Sequence, residues 1–246
     1  MELKRFPDSE QMARFAADLT VETARDATTA RGVFSFCLSG GKTPTRLYEL
    51  LAEPPWTGQM PWDRTHLFWG DDRAIPPDHP DSNFKTANEA LIAKVRLAQE
   101  QVHRMPGEMR PLTDAASRYE AELQDFFAPQ TDGGLHRFDL VLLGVGPDGH
   151  TASLFPHSPA LAENEHLATA VDAPEHIAPH LPRLTLTLPV FNAARLVVFL
   201  VTGKDKQQVV KRVIERPDEA QADFPAARVR PFGRLWWLVD DEAWGD

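Results

Sequence analysis

Cysteine is almost absent from this sequence, and its scarcity narrows the compartments in which the protein can work. Cys37 is the only cysteine among 246 residues, so an intrachain disulfide is impossible. Extracellular proteins often rely on disulfides, whereas cytosolic proteins keep their thiols reduced, and we therefore expect a cytoplasmic protein. Cys37 lies in the apolar run from Val33 to Leu38, where burial as a small hydrophobic side chain is expected.

Long apolar segments and basic clusters are also missing. The longest apolar runs, Leu140–Val145 and Leu196–Val201, are far too short to cross a bilayer, and the N-terminus lacks the apolar core of a signal peptide. The formal net charge is −10, from 26 basic and 36 acidic residues. We therefore expect no membrane and no nucleic-acid partner, although a few local cations suffice to bind a small anionic substrate.

Strand-like and helix-like segments alternate along the chain. Strands are predicted at Val33–Leu38, within Trp62–Trp69, and at Phe138–Val145, Leu184–Leu188, Leu196–Val201 and Leu235–Val239. Helices are predicted at Ser9–Ala30, from Pro44 to Leu51, after Asn83 through about Leu97, and at Ser117–Phe127 and Gln207–Glu215. This alternation predicts an α/β fold with a mostly parallel, Rossmann-like sheet covered by helices on both faces. Because no repeat or low-complexity linker interrupts it, residues 1–246 are predicted to form a single domain.

The segment from Phe138 to Pro156 carries the strongest functional signal. Its apolar run predicts a buried strand, and three glycines follow the strand: Gly144, Gly146 and Gly149. Ligands of open α/β sheets bind beyond the carboxyl ends of the strands, where glycines allow close approach of the backbone. Asp148 and His150 lie here, and a histidine can act as an acid or base near neutral pH, although a buried structural histidine is the alternative.

The same glycines match the GxGxxG pattern of dinucleotide-binding proteins. That pattern requires a long helix to begin at the glycines, and Pro156 and Pro159 cut such a helix short. A dinucleotide site is therefore not predicted.

A second Gly-containing turn, Ser39-Gly-Gly-Lys-Thr-Pro44, joins a predicted strand to a predicted helix. Backbone N–H groups at such a turn, with the helix N-terminus behind them, form an anion site, and a plain connecting turn is the alternative. A nucleotide-binding P-loop is rejected because that motif needs a glycine where this chain has Phe36.

Charged residues follow two other predicted strands. Asp71, Asp72 and Arg73 stand at the end of one strand, where an arginine can grip a phosphate or stabilise an oxyanion, although a solvated ion pair is the commoner outcome. Lys204 and Lys206 follow another, and either could reach a bound phosphate. Neighbouring strand residues point to opposite faces, so the two carboxylates do not suit a glycosidase.

Two histidines, His176 and His180, have the spacing of a helical metal-binding pair. Pro179 and Pro182 interrupt the helix that such a pair requires, and no HExxH motif is present. We expect no metal site.

Taken together, these segments resemble the 6-phosphogluconolactonase family, within the superfamily that also contains glucosamine-6-phosphate deaminases. The resemblance covers nearly the whole chain. It rests on five motifs in order: Leu38-Ser-Gly-Gly-Lys-Thr-Pro44, Phe68-Trp-Gly-Asp-Asp-Arg73 with Asp81-Ser-Asn83, Leu143-Gly-Val-Gly-Pro-Asp-Gly-His-Thr-Ala-Ser-Leu-Phe-Pro156, Arg183-Leu-Thr-Leu-Thr187 and Val201-Thr-Gly-Lys-Asp-Lys206. The family usually has Asp-Glu-Arg where this chain has Asp71-Asp72-Arg73, so Asp72 departs from the pattern.

The resemblance implies hydrolysis of 6-phospho-D-glucono-1,5-lactone to 6-phospho-D-gluconate in the oxidative pentose phosphate pathway, without cofactor or metal. It implies that His150 activates water, that Asp148 orients His150, and that Arg73 stabilises the oxyanion or grips the substrate. The other expected substrate-binding residues are Ser39, Gly40, Gly41, Thr43, Asp71, Asn83, Arg183 and Lys206. Among them, the phosphate is expected on the backbone of residues 39–43, with Arg183 and Lys206 as its cations. A monomer or a small homo-oligomer is expected.

Two other functions stay open. The superfamily's deaminases carry a glutamate five residues after the histidine, where this chain has Phe155, and an apolar ring cannot transfer protons. Sugar-phosphate sensors of the superfamily are normally joined to a DNA-binding helix-turn-helix, for which this chain has neither spare length nor a basic recognition helix. Both alternatives are therefore disfavoured relative to lactone hydrolysis.

Overall fold

The computed structural model describes residues 1–128 and 137–245. The strands in these ranges are β1 (Glu2–Phe6), β2 (Phe34–Leu38), β3 (Thr65–Trp69), β4 (Asp71–Arg73), β5 (Val102–His103), β6 (Leu140–Leu143), β7 (Ala168–Val171), β8 (Arg183–Leu186), β9 (Leu196–Val201) and β10 (Arg234–Asp240). The α-helices are α1 (Ser9–Arg31), α2 (Lys42–Ala52), α3 (Asn83–Ala90), α4 (Leu112–Phe127), α5 (Leu188–Ala193), α6 (Gln207–Glu215), α7 (Pro217–Ala220) and α8 (Asp241–Trp244).

Seven strands form one sheet in the order β1-β10-β9-β6-β2-β3-β5, and every neighbouring pair is parallel. The central strands β2, β6 and β9 are buried along their whole length, as parallel strands are when both faces of a sheet are covered. Cys37 lies in β2 and is fully buried. The predicted α/β fold with a mostly parallel sheet is confirmed.

The order of the strands creates a crevice between β2 and β6. The chain continues from β2 to β3 and β5 on one side, whereas β6, β9 and β10 extend the sheet on the other side. The connections that leave β2 and β6 therefore run apart, and open α/β sheets bind their ligands at such a point.

Helix α1 shows how local sequence sets the bounds of an element. The Asp8 side chain accepts the N–H of Gln11 at 2.7 Å and caps the first turn, while Gly32 ends the helix with a left-handed φ of 78°. Its buried stripe packs against α2 and the sheet. Within the described residues, no helix has both the length and the apolar character needed to cross a membrane.

Two predicted helices have other bounds in the structure. The helix predicted through Leu97 ends at Ala90, because Leu91 turns away from helical geometry and buries its side chain completely. The helix predicted from Ser117 begins at Leu112, directly after Pro111, which supplies an extended N-cap. Strand β1 was not predicted at all, since only Phe6 of its five residues is buried and its pattern is that of a charged edge strand.

A second, antiparallel sheet in the order β4-β8-β7 lies beside the first. Residues 71–73, predicted to stand at the end of a strand, form a separate short strand, β4, which pairs with β8. In this pairing Arg73 lies opposite Arg183, and Asp71 lies opposite Thr185. Since directly opposed residues project from the same face, this small sheet fixes both arginines side by side.

Candidate active site

A cleft of about 280 Å³ opens where the connections after β2, β4, β6 and β9 meet. The residues that line it are Ser39, Gly40, Gly41, Asp71, Arg73, Asn83, Gly144, Val145, Gly146, Pro147, His150, Ala152, Arg183 and Lys206. The predicted site residues all belong to this set, with two exceptions. Asp148 lies behind His150, and Thr43 is turned away from the cleft.

His150 and Asp148 form a close pair at the end of β6. The Nδ1 atom of His150 is 2.6 Å from Oδ1 of Asp148, and the same oxygen accepts the backbone N–H of His150 at 3.1 Å. About a fifth of each side chain is exposed, at 20% and 21%. The imidazole thus lines the cleft while the carboxylate supports it from behind.

Gly146 is what allows this pair to sit against the backbone. A Cβ atom at position 146 would lie 2.2 Å from Nδ1 of His150 and 2.7 Å from Oδ1 of Asp148. No side chain fits into that space without displacing the pair. The glycine therefore serves the histidine rather than a dinucleotide.

The charge on Asp148 fixes the tautomer of His150. Burial raises the pKa of Asp148, but hydrogen bonds from His150 and His176 outweigh burial and hold that pKa below its ordinary range. The carboxylate is then ionised and can only accept, so Nδ1 of His150 carries the donated proton. Nε2 of the neutral ring keeps a free lone pair, which is the form a general base requires.

Arg73, which is half-buried, and Arg183, which is buried, line the cleft, and neither forms an ion pair with a carboxylate in residues 1–128 and 137–245. Arg183 is only 4% exposed, and the Nε atoms of both Arg73 and Arg183 have no hydrogen-bond partner within residues 1–128 and 137–245. Burial lowers the pKa of Arg183, Asp71 opposes that effect, and the charge on Arg73 adds to it. Like charges placed opposite each other destabilise a sheet, so this arrangement favours a bound anion between the two guanidinium groups.

Asn83 joins the arginines to the glycine loop after β2. Its side-chain oxygen accepts from Nη1 of Arg73, and its Nδ2 donates to the backbone oxygen of Asp71 at 2.9 Å. A Cβ atom on Gly40 would lie 1.9 Å from Oδ1 of Asn83. The two segments thus approach closely only because position 40 is a glycine.

The adjacent carboxylates Asp71 and Asp72 have different partners. Asp71 lines the cleft and accepts the hydroxyl of the fully buried Ser153 at 2.6 Å. Asp72 points to the other face of β4, where it accepts the backbone N–H groups of Asn83 at 2.7 Å and Phe84 at 3.1 Å. Asp72 therefore caps the start of α3, which assigns the residue that departs from the family motif to the fold rather than to the cleft.

Some predicted contacts are placed differently. The N–H of Ser39 donates to the Tyr48 hydroxyl at 2.9 Å and is not available to a ligand, which corrects its predicted role as a backbone donor. The Thr43 hydroxyl lies 2.9 Å from that of Thr202, and Thr43 does not line the cleft. The N–H groups of Gly40 and Gly41 have no acceptor within the described residues, and those of Lys42 and Thr43, the first residues of α2, have no intrahelical acceptor either. The rest of the predicted phosphate loop, the backbone of Gly40, Gly41 and Thr43, stays a prediction.

The two lysines after β9 also differ. Lys206 lines the cleft, with 19% of its side chain exposed, and pairs with Asp205. Lys204 is exposed and does not line the cleft. The sequence alone did not distinguish between them.

Several contributors were not found from the sequence. Ser153, which holds Asp71, and the cleft-lining Ala152 both follow His150, where apolar and small residues give no signal of their own. His176 was considered only as a metal ligand, yet its Nε2 lies 3.2 Å from Oδ2 of Asp148. Within the described ranges, no group of three His, Cys, Asp or Glu side chains is placed to hold a metal ion.

Volume does not identify this site, because several larger clefts lie elsewhere in the described structure. A cleft of about 460 Å³ lies at the amino ends of β1 and β10, and much of its lining is apolar. Its arginines, Arg230 and Arg234, are paired with Asp218 at 2.8 Å and Glu2 at 3.7 Å. Unlike Arg73 and Arg183, they are already neutralised.

The fold and the cleft define a class of protein: a parallel α/β enzyme in which a histidine–aspartate pair stands beside an anion site at the sheet's switch point. The family described as glucosamine-6-phosphate isomerases/6-phosphogluconolactonase has a sequence model that matches residues 7–237. The chain belongs to this family.

Relatives within the family agree with this assignment. A 6-phosphogluconolactonase from Synechocystis is 42% identical over 87% of this chain and 84% of its own, and one from Homo sapiens is 38% identical over 97% and 90%. The crystal structure of a 6-phosphogluconolactonase from Thermotoga maritima superposes with a TM-score of 0.82 at 30% identity, covering 97% and 99% of the two chains. A monomeric glucosamine-6-phosphate deaminase, with a TM-score of 0.80 but only 20% identity, shares the fold.

Proposed function

We propose that this protein hydrolyses 6-phospho-D-glucono-1,5-lactone to 6-phospho-D-gluconate, a step of the oxidative pentose phosphate pathway. The observation that carries the proposal is the cleft itself, where His150, held by Asp148, lies beside Arg73 and Arg183, whose Nε atoms have no hydrogen-bond partner among the described residues. One group is suited to activate water and the others to hold an anionic ester. Relatives with 38% and 42% identity that are named 6-phosphogluconolactonase support the same reaction.

The reaction begins with water attacking the C1 carbonyl of the lactone. Nε2 of His150 takes a proton from the water as the new C1–O bond forms, and the carbonyl becomes an oxyanion. Asp148 stabilises the imidazolium through the 2.6 Å contact with Nδ1. The ring C1–O bond then breaks, and His150 returns its proton to the departing ring oxygen. Base assistance of this kind contributes about 10²- to 10⁴-fold.

Positive charge in the cleft serves two ends of the substrate. Arg73, held by Asn83, stabilises the oxyanion or grips the sugar. The phosphate binds the N–H groups of Gly40 and Gly41 at the start of α2, with Arg183 and Lys206 as its cations. Asp71 lines the cleft and already accepts the Ser153 hydroxyl, so it is suited to accept sugar hydroxyls as well. The mechanism needs neither a cofactor nor a metal.

Phe155 separates this proposal from the deaminase alternative. Its ring lies 5.1 Å from that of His150, is only 1% exposed, and also faces the Arg183 guanidinium. A deaminase needs a second proton-transferring group beside the histidine, and an apolar ring supplies none. It instead keeps water from one side of the imidazole.

Direct assay decides between the functions. Freshly prepared lactone is followed by base uptake at constant pH, with the uncatalysed rate subtracted, and glucosamine 6-phosphate is followed by ammonia release. We expect fast turnover of the lactone and none of the amino sugar. Ammonia release would support the deaminase, and tight binding of 6-phosphogluconate without turnover of either would support a sensor.

Other expectations are part of the proposal. We propose that the protein acts in the cytoplasm, as a monomer or small homo-oligomer, on a small-molecule substrate rather than on nucleic acid. The single buried thiol and the net charge of −10 support this setting. We also propose that residues 1–246 form one domain, since both sheets contribute residues to one cleft.

A further inference from the structure

Asp148 is held by two imidazoles rather than one. Its Oδ1 atom receives Nδ1 of His150 at 2.6 Å, and its Oδ2 atom lies 3.2 Å from Nε2 of His176. His176 belongs to the segment between β7 and β8, and 62% of its side chain is exposed, against 21% for Asp148. The carboxylate is thus bridged between the cleft and the protein surface.

We propose that His176 is a positioning residue for the hydrolysis: it donates Nε2–H to Asp148 and fixes the plane of the carboxylate that orients His150. This inference rests on the proposed function. A carboxylate held through one oxygen can rotate about its Cβ–Cγ bond, and the imidazole it supports then rotates with it. A second hydrogen bond on the other oxygen removes that freedom, as outer partners do for other functional histidines.

The direction of the proton follows from the charge on Asp148. An ionised carboxylate offers no hydrogen, so Nε2 of His176 must be the donor. The hydrogen bonds from both histidines hold the pKa of Asp148 below its ordinary range, which keeps the carboxylate ionised while His150 cycles between neutral and charged forms. His176 thereby supports the base without touching the substrate.

The surroundings allow His176 to be tested separately from the cleft. The charged groups that line the cleft are Asp71, Arg73, Arg183 and Lys206, and those on the segment that carries His176 are Asp172, Glu175 and His180. His180 is exposed like His176, but its Nδ1 lies 3.3 Å from the backbone oxygen of Pro174 and makes no contact with Asp148. It provides a matched control on the same segment.

The kinetic test compares three variants. His176→Ala is expected to lower kcat about three- to tenfold with KM within twofold, because the phosphate contacts are untouched. His176→Gln is expected to restore most of kcat, since its amide nitrogen occupies the place of Nε2 and donates in the same direction. His180→Ala is expected to behave as the wild type. Equal kcat in His176→Ala and wild type, or failure of glutamine to rescue, overturns the proposal.

A spectroscopic arm does not depend on turnover. The short Nδ1–H contact of His150 should give a proton resonance far downfield, which His150→Ala removes. We expect His176→Ala to shift or broaden this resonance, and His180→Ala to leave it in place. If the wild type does not hydrolyse the lactone, the proposed function is wrong, but the positioning role can still be tested by the resonance. If His176→Ala leaves the resonance unchanged, the positioning role is wrong.

Discussion

Two of the histidine–carboxylate pairs in the described part of the chain have similarly short contacts but different surroundings. His150 lies 2.6 Å from Asp148 at the end of β6, and Nδ1 of His103 lies 2.8 Å from Oε1 of Glu122 between β5 and α4. Both pairs border a cleft. Distance alone therefore does not separate a base from a structural contact.

The surroundings of the two histidines distinguish the two pairs. His103 stacks on Phe68 with ring centroids 4.3 Å apart and 4° between planes, and His66 caps its other nitrogen at 3.0 Å. Both of its ring nitrogens are thus engaged. The cleft beside it is lined by Glu100, Glu122 and Asp125 with Arg118 as its cation, which suits no anionic substrate. By contrast, Nε2 of His150 has no hydrogen-bond partner among the described residues, and the ring lies beside the two adjacent arginines, Arg73 and Arg183.

The largest expected effect tests this comparison directly. His150→Ala is expected to lower kcat about 10²- to 10⁴-fold with little change in KM, because the base is lost while the phosphate contacts remain. His103→Gln is expected to keep kcat within about twofold. The measurement is steady-state hydrolysis of the lactone for both variants.

The same two variants, His150→Ala and His103→Gln, can also contradict this comparison. Loss of stacking on Phe68 is expected to lower the Tm of His103→Gln, so activity is measured well below that Tm. A near-normal kcat in His150→Ala would remove the histidine from the mechanism. A large loss in a folded His103→Gln would mean that the two pairs are coupled.

A smaller effect is expected from the cation that reaches the cleft. Lys206→Met is expected to raise KM about tenfold with kcat nearly unchanged, because it removes a charge-assisted contact to the phosphate. Lys204→Met, two residues away but outside the cleft, is expected to leave both constants unchanged. Equal effects of the two changes would indicate that the lysines act through long-range electrostatic attraction rather than through a direct contact with the phosphate.

The sequence predicted the features that depend on local pattern. Apolar runs predicted the five inner strands of the parallel sheet but neither edge strand, β1 or β5, and glycines at the strand ends predicted the positions of His150 and Arg73. The antiparallel sheet was missed as a unit because β4 has only three residues, although the alternation of Arg183, Thr185 and Thr187 is typical of a strand. Its register, which sets Arg73 opposite Arg183, is a long-range pairing that no local pattern encodes.

Contacts between distant segments were equally out of reach of the sequence. The hydrogen bond from the Ser39 N–H to the Tyr48 hydroxyl depends on where the middle of α2 lies relative to the loop that precedes this helix. The approach of His176 to Asp148 joins residues 28 positions apart, with several loops and strand β7 between them. Such contacts follow from the packed fold. Functional residues could therefore be predicted where they lie in one motif, but not where two distant loops bring them together.

The smallest expected effect uses pH to separate the two pairs. Burial, and then the proximity of His103, lower the pKa of His66 from its ordinary value of 6.5 to about 4. The unfolded chain then binds the proton more tightly, so this group stabilises the fold fully above pH 6.5 and loses that contribution as the pH falls from 6.5 to about 4. The pKa of Asp148 is also lowered, but from 3.8, so its contribution is lost only below about pH 4.

Thermal unfolding between pH 7 and pH 4.5 therefore covers the range in which His66 titrates and stays above the range of Asp148. His66→Asn keeps a donor towards His103 but cannot titrate, and it is expected to flatten the fall in stability by about 1–2 kcal/mol, after discounting for partial exposure. That difference corresponds to about 3–6 °C in Tm. His180→Asn, an exposed histidine outside both pairs, is expected to follow the wild-type curve. A slope unchanged in His66→Asn would show that His66 is not the group whose protonation destabilises the fold in this range.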